Sequence, residues 1–236
     1  MRASPQDRHY LAVEADAFFE RNHAQADPSV LRPHKRRIAD QLAAAGVLRP
    51  RRMLEYGCGY GDLLHHFAAS AGAECVGVEP SKRAIELGTQ AYGASVRLVQ
   101  GTLADNPVNA DVASQRAFDL IVVDDVFCWV SRETLFQSIA NVDDALADGG
   151  HLFIREFFPL ANRRNRNHHV AEESVYCHKP AGPHAAIFTA SGVYAVVWQQ
   201  VTMDPADRWV ESAGRDPFES RWSDTVLRKS SSDYWR

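Results

Sequence analysis

Met53-Leu54-Glu55-Tyr56-Gly57-Cys58-Gly59-Tyr60-Gly61 is the stretch on which the fold turns. An apolar lead-in with one acid, broken by three glycines at alternate positions, describes a strand that stops abruptly and turns through a loop without obstructing side chains. Glycine accepts dihedrals that a Cβ forbids and lets backbone N–H groups approach a ligand closely. Such a turn gains meaning when a strand precedes it, a helix follows it and an acid closes the next strand about 20 residues on. All three conditions are met. Asp62 to Ala69 reads as a helix with Leu63, Leu64 and Phe67 on its inner side, ended by Gly72. Cys75-Val76-Gly77-Val78-Glu79 is then an apolar run closed by an acid, and Pro80-Ser81 is a good helix start.

The same rhythm continues outward. The pattern predicts a helix over 81–91, strands over 96–99 and 120–123, a helix around Leu135, Ile139, Val142 and Leu146, and a strand over 151–154. Strands alternating with helices imply right-handed crossovers and a parallel sheet covered on both faces. Upstream, the first fifty residues are helical and polar, with Ala15, Phe18 and Phe19 as a short apolar face before Pro28. A second helix is predicted over 29–45, where Ile38, Leu42 and Ala45 repeat at helical spacing and Gly46 supplies the cap. Its other face, Arg32, His34, Lys35, Arg36 and Arg37, reads as an anion contact or as a solvated face, the commoner arrangement for a charge run of this length. Downstream, residues 157–183 show no period, and Arg163-Arg164-Asn165-Arg166-Asn167-His168-His169 has the composition of an insertion or lid. A short helix at Ile187-Phe188 and strands over 193–201 and 223–228 complete the chain, which holds no internal repeat.

With 236 residues the chain fits one α/β domain with a sizeable core. A net charge of −4 argues against a phosphate backbone as the main partner. No stretch approaches the roughly 20 apolar residues of a membrane helix, and the N-terminus lacks the apolar core of a signal peptide, so a cytoplasmic protein without a membrane partner is expected. Cys58, Cys75, Cys128 and Cys177 form no CxxC pair and read as reduced thiols.

Between Val47 and Arg155 the residues resemble the class I S-adenosylmethionine-dependent methyltransferases. Glu55-Tyr56-Gly57-Cys58-Gly59-Tyr60-Gly61 is similar to that family's first motif, and its glycine spacing departs from the GxGxxG of nicotinamide enzymes. The resemblance implies a Rossmann-like α/β fold, a doubly wound seven-stranded sheet in the order 3-2-1-4-5-7-6 with the last strand antiparallel. Its ligand would lie at the carboxyl ends of the strands. It implies one domain, divided into an N-terminal helical cap (1–46), a cofactor-binding core (47–155), a lid or acceptor insertion (156–186) and C-terminal strands (187–236). S-adenosyl-L-methionine is the implied cofactor. The resemblance places it over Glu55, Gly57, Gly59 and Gly61, with Glu79 on the ribose hydroxyls, Thr102 and Leu103 beside the adenine, and Asp124 and Asp125 in the exit loop of the fourth strand. Many members have a histidine where this chain has Trp129.

Shorter motifs, Arg21-Asn22, Glu156-Phe157-Phe158-Pro159 and Arg215-Asp216-Pro217-Phe218, resemble a subgroup associated with bacterial amino-sugar and surface-glycan pathways. By that likeness Arg21 or Asn22 would reach the cofactor's carboxylate. The implied acceptor is a small polar, even anionic molecule methylated on oxygen, such as a sugar or a phosphorylated or phosphoramidated sugar precursor. A secondary-metabolite hydroxyl or amine is the alternative. If the acceptor must lose a proton, His168 and His169 are the candidate bases, because imidazole titrates near neutral pH, and Glu156 is the third. Metal binding by His168, His169, His178 and His184 with Asp124 and Asp125 matches no recognised ligand spacing. A nucleic-acid substrate finds support in Arg163, Arg164 and Arg166 but no recognisable RNA-binding module. A non-catalytic cofactor-binding protein is the remaining alternative, and oligomeric state is left open.

Overall fold

A computed structural model describes residues 4–23, 25–108, 116–167, 169–170, 175–203 and 221–231. His168 and the 215–218 motif lie outside the described residues. The helices are α1 (Pro5–His9), α2 (Ala15–His23), α3 (Pro33–Ala44), α4 (Asp62–Ala71), α5 (Lys82–Tyr92), α6 (Leu135–Ala145) and α7 (Ala185–Thr189). A π-helical turn, Tyr10–Glu14, joins α1 to α2. The strands are β1 (Arg52–Tyr56), β2 (Glu74–Glu79), β3 (Val96–Gln100), β4 (Phe118–Asp124), β5 (Leu146–Phe157), β6 (Arg163–Arg166), β7 (Tyr176–Lys179), β8 (Tyr194–Met203) and β9 (Arg221–Lys229).

Seven strands form one sheet in the order β3-β2-β1-β4-β5-β9-β8, with β6 and β7 paired separately. The first five run parallel, and β9 enters antiparallel to both β5 and β8. Counted within the large sheet this is 3-2-1-4-5-7-6 with the last strand antiparallel, as the family resemblance implies. Alternation along the strands assigns the two faces. Leu54, Tyr56, Ile121, Val123, Leu152 and Ile154 point to one side, where Leu135 and Val142 of α6 cover them. Met53, Leu120, Val122 and Phe153 point to the other, under Ile38 and Leu42 of α3 and Leu63, Leu64 and Phe67 of α4. Both faces are therefore apolar, which is why these strands read as continuous runs. Truncating one such side chain, Leu64→Ala for instance, costs about 2–5 kcal/mol.

The structure departs from the sequence pattern in three places. Helix α3 begins at Pro33, four residues later than the periodicity suggests. Proline's fixed φ suits the first helical position, and the Arg32 backbone N–H is diverted to Oδ2 of Asp62 at 3.1 Å. The basic face of α3 is not a solvated face, because Lys35 is buried and Arg32 is half-buried against Asp62. The aperiodic region contains the β6–β7 hairpin. All four residues of β6 are exposed, so no burial alternation marks it.

The N-terminal elements are tied across the ends of the strands. Gln6 donates to the carbonyls of Trp129 and Tyr176 and accepts from the Tyr176 N–H. Glu14 receives Arg21 and the Asn167 side chain. Asp16 accepts from the Ser81 hydroxyl and the Arg83 N–H, docking α2 on the first turn of α5. Together they roof the carboxyl ends of β1, β2 and β4.

Candidate active site

Beneath that roof lies a cavity of about 260 Å³. It opens where strand order reverses between β1 and β4, the usual ligand position in doubly wound sheets. One end is made by the glycine turn. Gly57 and Gly59 have φ of +67° and +59° and both line the cavity. A Cβ on Gly57 would stand 2.5 Å from Cγ2 of Val126, and one on Gly59 would press on the Arg32 guanidinium at 3.3 Å. Beside the turn, Glu79 is buried with Oε2 accepting from the Gly59 N–H at 2.8 Å and Oε1 from the Ser81 N–H at 2.9 Å. Burial raises its pKa, against the two backbone donors that favour the anion. A carboxylate has about four lone-pair sites, so two remain for a ligand's paired hydroxyls. Gly101, Thr102, Leu103 and Ala104 continue this wall. The Thr102 hydroxyl is engaged in its own turn with Asp105.

A buried charge network forms the floor. Lys35 reaches Glu55 at 2.7 Å and Asp124 at 3.0 Å. Arg155 completes the chain to Asp124 at 3.5 Å and Asp224 at 3.4 Å. One ammonium thus serves two carboxylates, and they respond differently. Burial pushes Glu55 up to about 7 despite Lys35. Burial would also raise Asp124, but Lys35 and Arg155 outweigh it and hold it at about 2. The second cation is what separates them.

The far end of the cavity is lined by Tyr10, Trp129, Val130 and Asp125, while Phe18 and Phe19 line it nearer the glycine turn, where both meet His23 and His23 meets Tyr60. Tyr10 and Trp129 pack with ring centroids 6.1 Å apart. Asp125 holds φ +58°, rare for a residue with a side chain, and is pinned there by its N–H to the Arg155 carbonyl at 2.9 Å. Its carboxylate receives the Cys128 thiol at 3.2 Å. Burial and then Asp124 push it up to about 6. Behind it, fully buried, Glu156 accepts the Val126 and Phe127 N–H groups on Oε1, at 3.0 and 2.6 Å. Burial and Asp125 hold the Glu156 carboxyl well above the usual range.

The residues singled out in the sequence divide accordingly. Gly57, Gly59, Glu79, Thr102, Leu103, Asp124 and Asp125 meet around the cavity. Glu55 does not line it and instead holds Lys35. Gly61, with φ +84°, turns the chain into α4 against Leu98. Arg21 is engaged by Glu14, and Asn22 donates to the Phe18 carbonyl, so neither reaches the cavity wall. Glu156 fastens the exit loop from behind and has no face on the cavity. His169 is exposed, its N–H capped by Asn167, and does not line the cavity. His184 is buried against Phe127, apart from Asp124 and Asp125. The metal-capable trio that does assemble among the described residues is Asp125, Cys128 and Glu156, with ligand atoms within 4.8 Å. Sequence reasoning did not reach Tyr10 and Arg155 as site residues, and offered His34 and Lys35 only on a face read as an anion contact or a solvated face. Only the π-helical turn at Tyr10, a form frequent at functional sites, offers a local signal, and it is visible in coordinates alone.

A family model described as a methyltransferase domain matches residues 30–200, which contain the glycine turn, Glu79 and both exit-loop aspartates. The chain belongs to this family. Its cofactor is S-adenosylmethionine, and the glycine turn with the half-satisfied Glu79 carboxylate fits that nucleoside. No curated protein matches the methyltransferase. Among solved structures, it resembles 1,6-didemethyltoxoflavin-N1-methyltransferase from Burkholderia thailandensis at 18% identity and TM-score 0.67, over 98% of this chain and 92% of that one. The N-methyltransferase NodS from Bradyrhizobium japonicum matches at 17% identity and TM-score 0.57, over 96% and 99%. An S-adenosylmethionine-dependent methyltransferase from Mesorhizobium loti matches at 16% and 0.55, over 81% and 98%. At these identities the likeness establishes the methyltransferase's fold. No helix among the described residues is long and apolar enough to cross a membrane.

Proposed function

We propose that this methyltransferase methylates an oxygen of a small, uncharged polar acceptor, a sugar or comparable ring compound, which enters between Tyr10, Trp129 and Asp125. The observation that carries this reading is the continuity of the cavity from Gly57, Gly59 and Glu79 to that aromatic and acidic end. The bound cofactor supplies an electrophilic methyl group for in-line displacement. The chain's residues then act mainly by position. The turn and Glu79 fix the nucleoside, and the two aromatic rings hold a flat acceptor face, which places a nucleophile within the roughly 3–3.5 Å that displacement needs. In this reading, segments 1–46 and 156–186 act as one cover over the core.

An anionic acceptor, which Arg163, Arg164 and Arg166 suggest in the sequence, finds no open cation on the cavity wall among the described residues. Arg32 is held by Asp62, Lys35 by Glu55 and Asp124, and Arg155 by Asp124 and Asp224. A heteroaromatic amine is the second reading. The Tyr10–Trp129 pair beside a carboxylate favours it, and two of the structural neighbours carry N-methyltransferase in their names. Tritium transfer from methyl-labelled cofactor to methyl hexosides, hexose phosphates, catechols and heteroaromatic amines decides between them. Label in hexose phosphates alone would remove the uncharged-acceptor reading. A purified protein that fails to bind S-adenosylhomocysteine in calorimetry would remove the cofactor assignment.

A further inference from the structure

We propose that Asp125 is the catalytic base of the transfer, with Glu156 as a positioning residue behind it. The inference rests on the methyl-transfer reading above but assigns chemistry to a residue that reading leaves passive. Four carboxylates line the cavity among the described residues. Asp7 is used by Ser4 and Thr134. Glu79 takes two backbone N–H groups, and Asp124 takes Lys35 and Arg155. Asp125 alone faces the cavity with a thiol as its hydrogen-bond donor, leaving lone pairs for an incoming proton. Its backbone is held at a positive φ, a costly conformation that persists where surroundings over-determine it, often at active sites.

The surroundings favour a base that works near neutral pH. Asp125 is faced by Asp124 on β4, Cys128 in the 3-10 turn Phe127–Trp129, Arg155 and Glu156 on β5, Lys179 on β7 and Tyr10 on the roof. Burial and Asp124 raise its affinity for a proton, while Arg155 and Lys179 restrain the rise. Burial and then Asp125 raise the Glu156 carboxyl well above the usual range, which lessens the negative charge beside the base. Glu156 fastens the loop through Oε1, and its Oε2 has no hydrogen-bond partner among the described residues. His34, also on the cavity wall, is a poorer base, because burial and the adjacent Lys35 lower it to about 4. In the step itself, the acceptor O–H or N–H proton passes to Asp125 as the new bond to the methyl carbon forms. The electron pair of the breaking C–S bond stays on sulfur, and Asp125 returns its proton to solvent.

The test begins with a readout that needs no acceptor. In protein labelled with carboxyl-13C aspartate and saturated with S-adenosylhomocysteine, one aspartate should titrate near pH 6 and that signal should be missing from Asp125→Asn. Aspartates that all titrate below about pH 4.5 would overturn the assignment. Asparagine tolerates positive φ, so the variant keeps the loop, and a near-UV circular dichroism spectrum unchanged from wild type confirms its fold. On whichever acceptor of the panel takes label, transfer by wild type should rise through pH 6, and Asp125→Asn should lose at least about 100-fold in kcat, the low end for a positioned base. Equal rates with the same pH profile overturn the proposal. Stoichiometric metal in the purified protein, with 13C broadening at Asp125, would overturn it in favour of a cation on Asp125, Cys128 and Glu156. A wild type that binds no S-adenosylhomocysteine breaks the parent reading instead, and the pH 6 carboxyl is then judged in the free protein.

Discussion

The two ends of the cavity are built from different material. At the glycine end the working groups are backbone N–H donors of one short turn and a single carboxylate, all delivered by consecutive loops after β1 and β2. At the aromatic end, the lining side chains arrive from the π-helical turn, the exit of β4 and β5, with Lys179 of β7 acting on them from outside the lining, and their charges are set by one another. A backbone donor survives most substitutions and is lost only when the turn is distorted. A side-chain constellation loses its chemistry one residue at a time. The first end is therefore robust and generic, and in the proposed reading the second is where acceptor choice can vary.

Four measurements put pressure on that contrast. The largest effect belongs to the floor shared by both ends. Lys35→Met leaves Glu55 and Asp124 buried without their common cation, and breaking such a pair costs about 3–5 kcal/mol. Urea denaturation reads this directly, and a loss under about 1 kcal/mol would mean that the floor is not one unit. Acid titration comes next. Asp124 is held near pKa 2 against an ordinary 3.8, so its contribution is present above about pH 4 and is lost as pH falls through about 2. Roughly two pKa units correspond to about 2–3 kcal/mol. Stability of wild type and Asp124→Asn, compared between pH 5 and 2, should converge. At the glycine end, Glu79→Ala should weaken S-adenosylhomocysteine binding tenfold or more, about 1.4 kcal/mol. Unchanged calorimetric affinity would strip the carboxylate of its role. The smallest effect is expected at His169, exposed and off the cavity wall, where alanine should change both affinity and transfer by less than twofold. A large drop in transfer there would move the acceptor site towards the β6–β7 hairpin.

The same contrast explains what the sequence discloses. Positive φ at Gly57, Gly59 and Gly61 is a local demand, and local demands leave local traces, so the turn and the acid closing β2 were legible from spacing, while the sheet order came from the family resemblance. Lys35 looked like one charge in a solvated run because its partners, Glu55 and Asp124, lie 20 and 89 residues away. The same holds for Tyr10, which meets Trp129 only when α1 folds over the strand ends. In the other direction, Glu156 and Arg21 had the right chemistry at plausible places, yet nearby backbone and Glu14 claimed them first. The Arg163–Arg166 strand is conspicuous in the sequence because it is exposed on both faces, which is also why it sits away from the cavity.

The Lys35 bridge has a consequence for how this protein can change over generations. Its single ammonium joins α3 to the ends of β1 and β4; Asp124 keeps Arg155 if that ammonium is lost, whereas Glu55 is left buried without a cation among the described residues, so position 35 cannot turn apolar before position 55 loses its carboxyl. Positions 35 and 55 are therefore linked in one direction. Across relatives with this architecture, an apolar residue at position 35 should be accompanied by a neutral one at position 55, while a neutral residue at position 55 can stand beside Lys35.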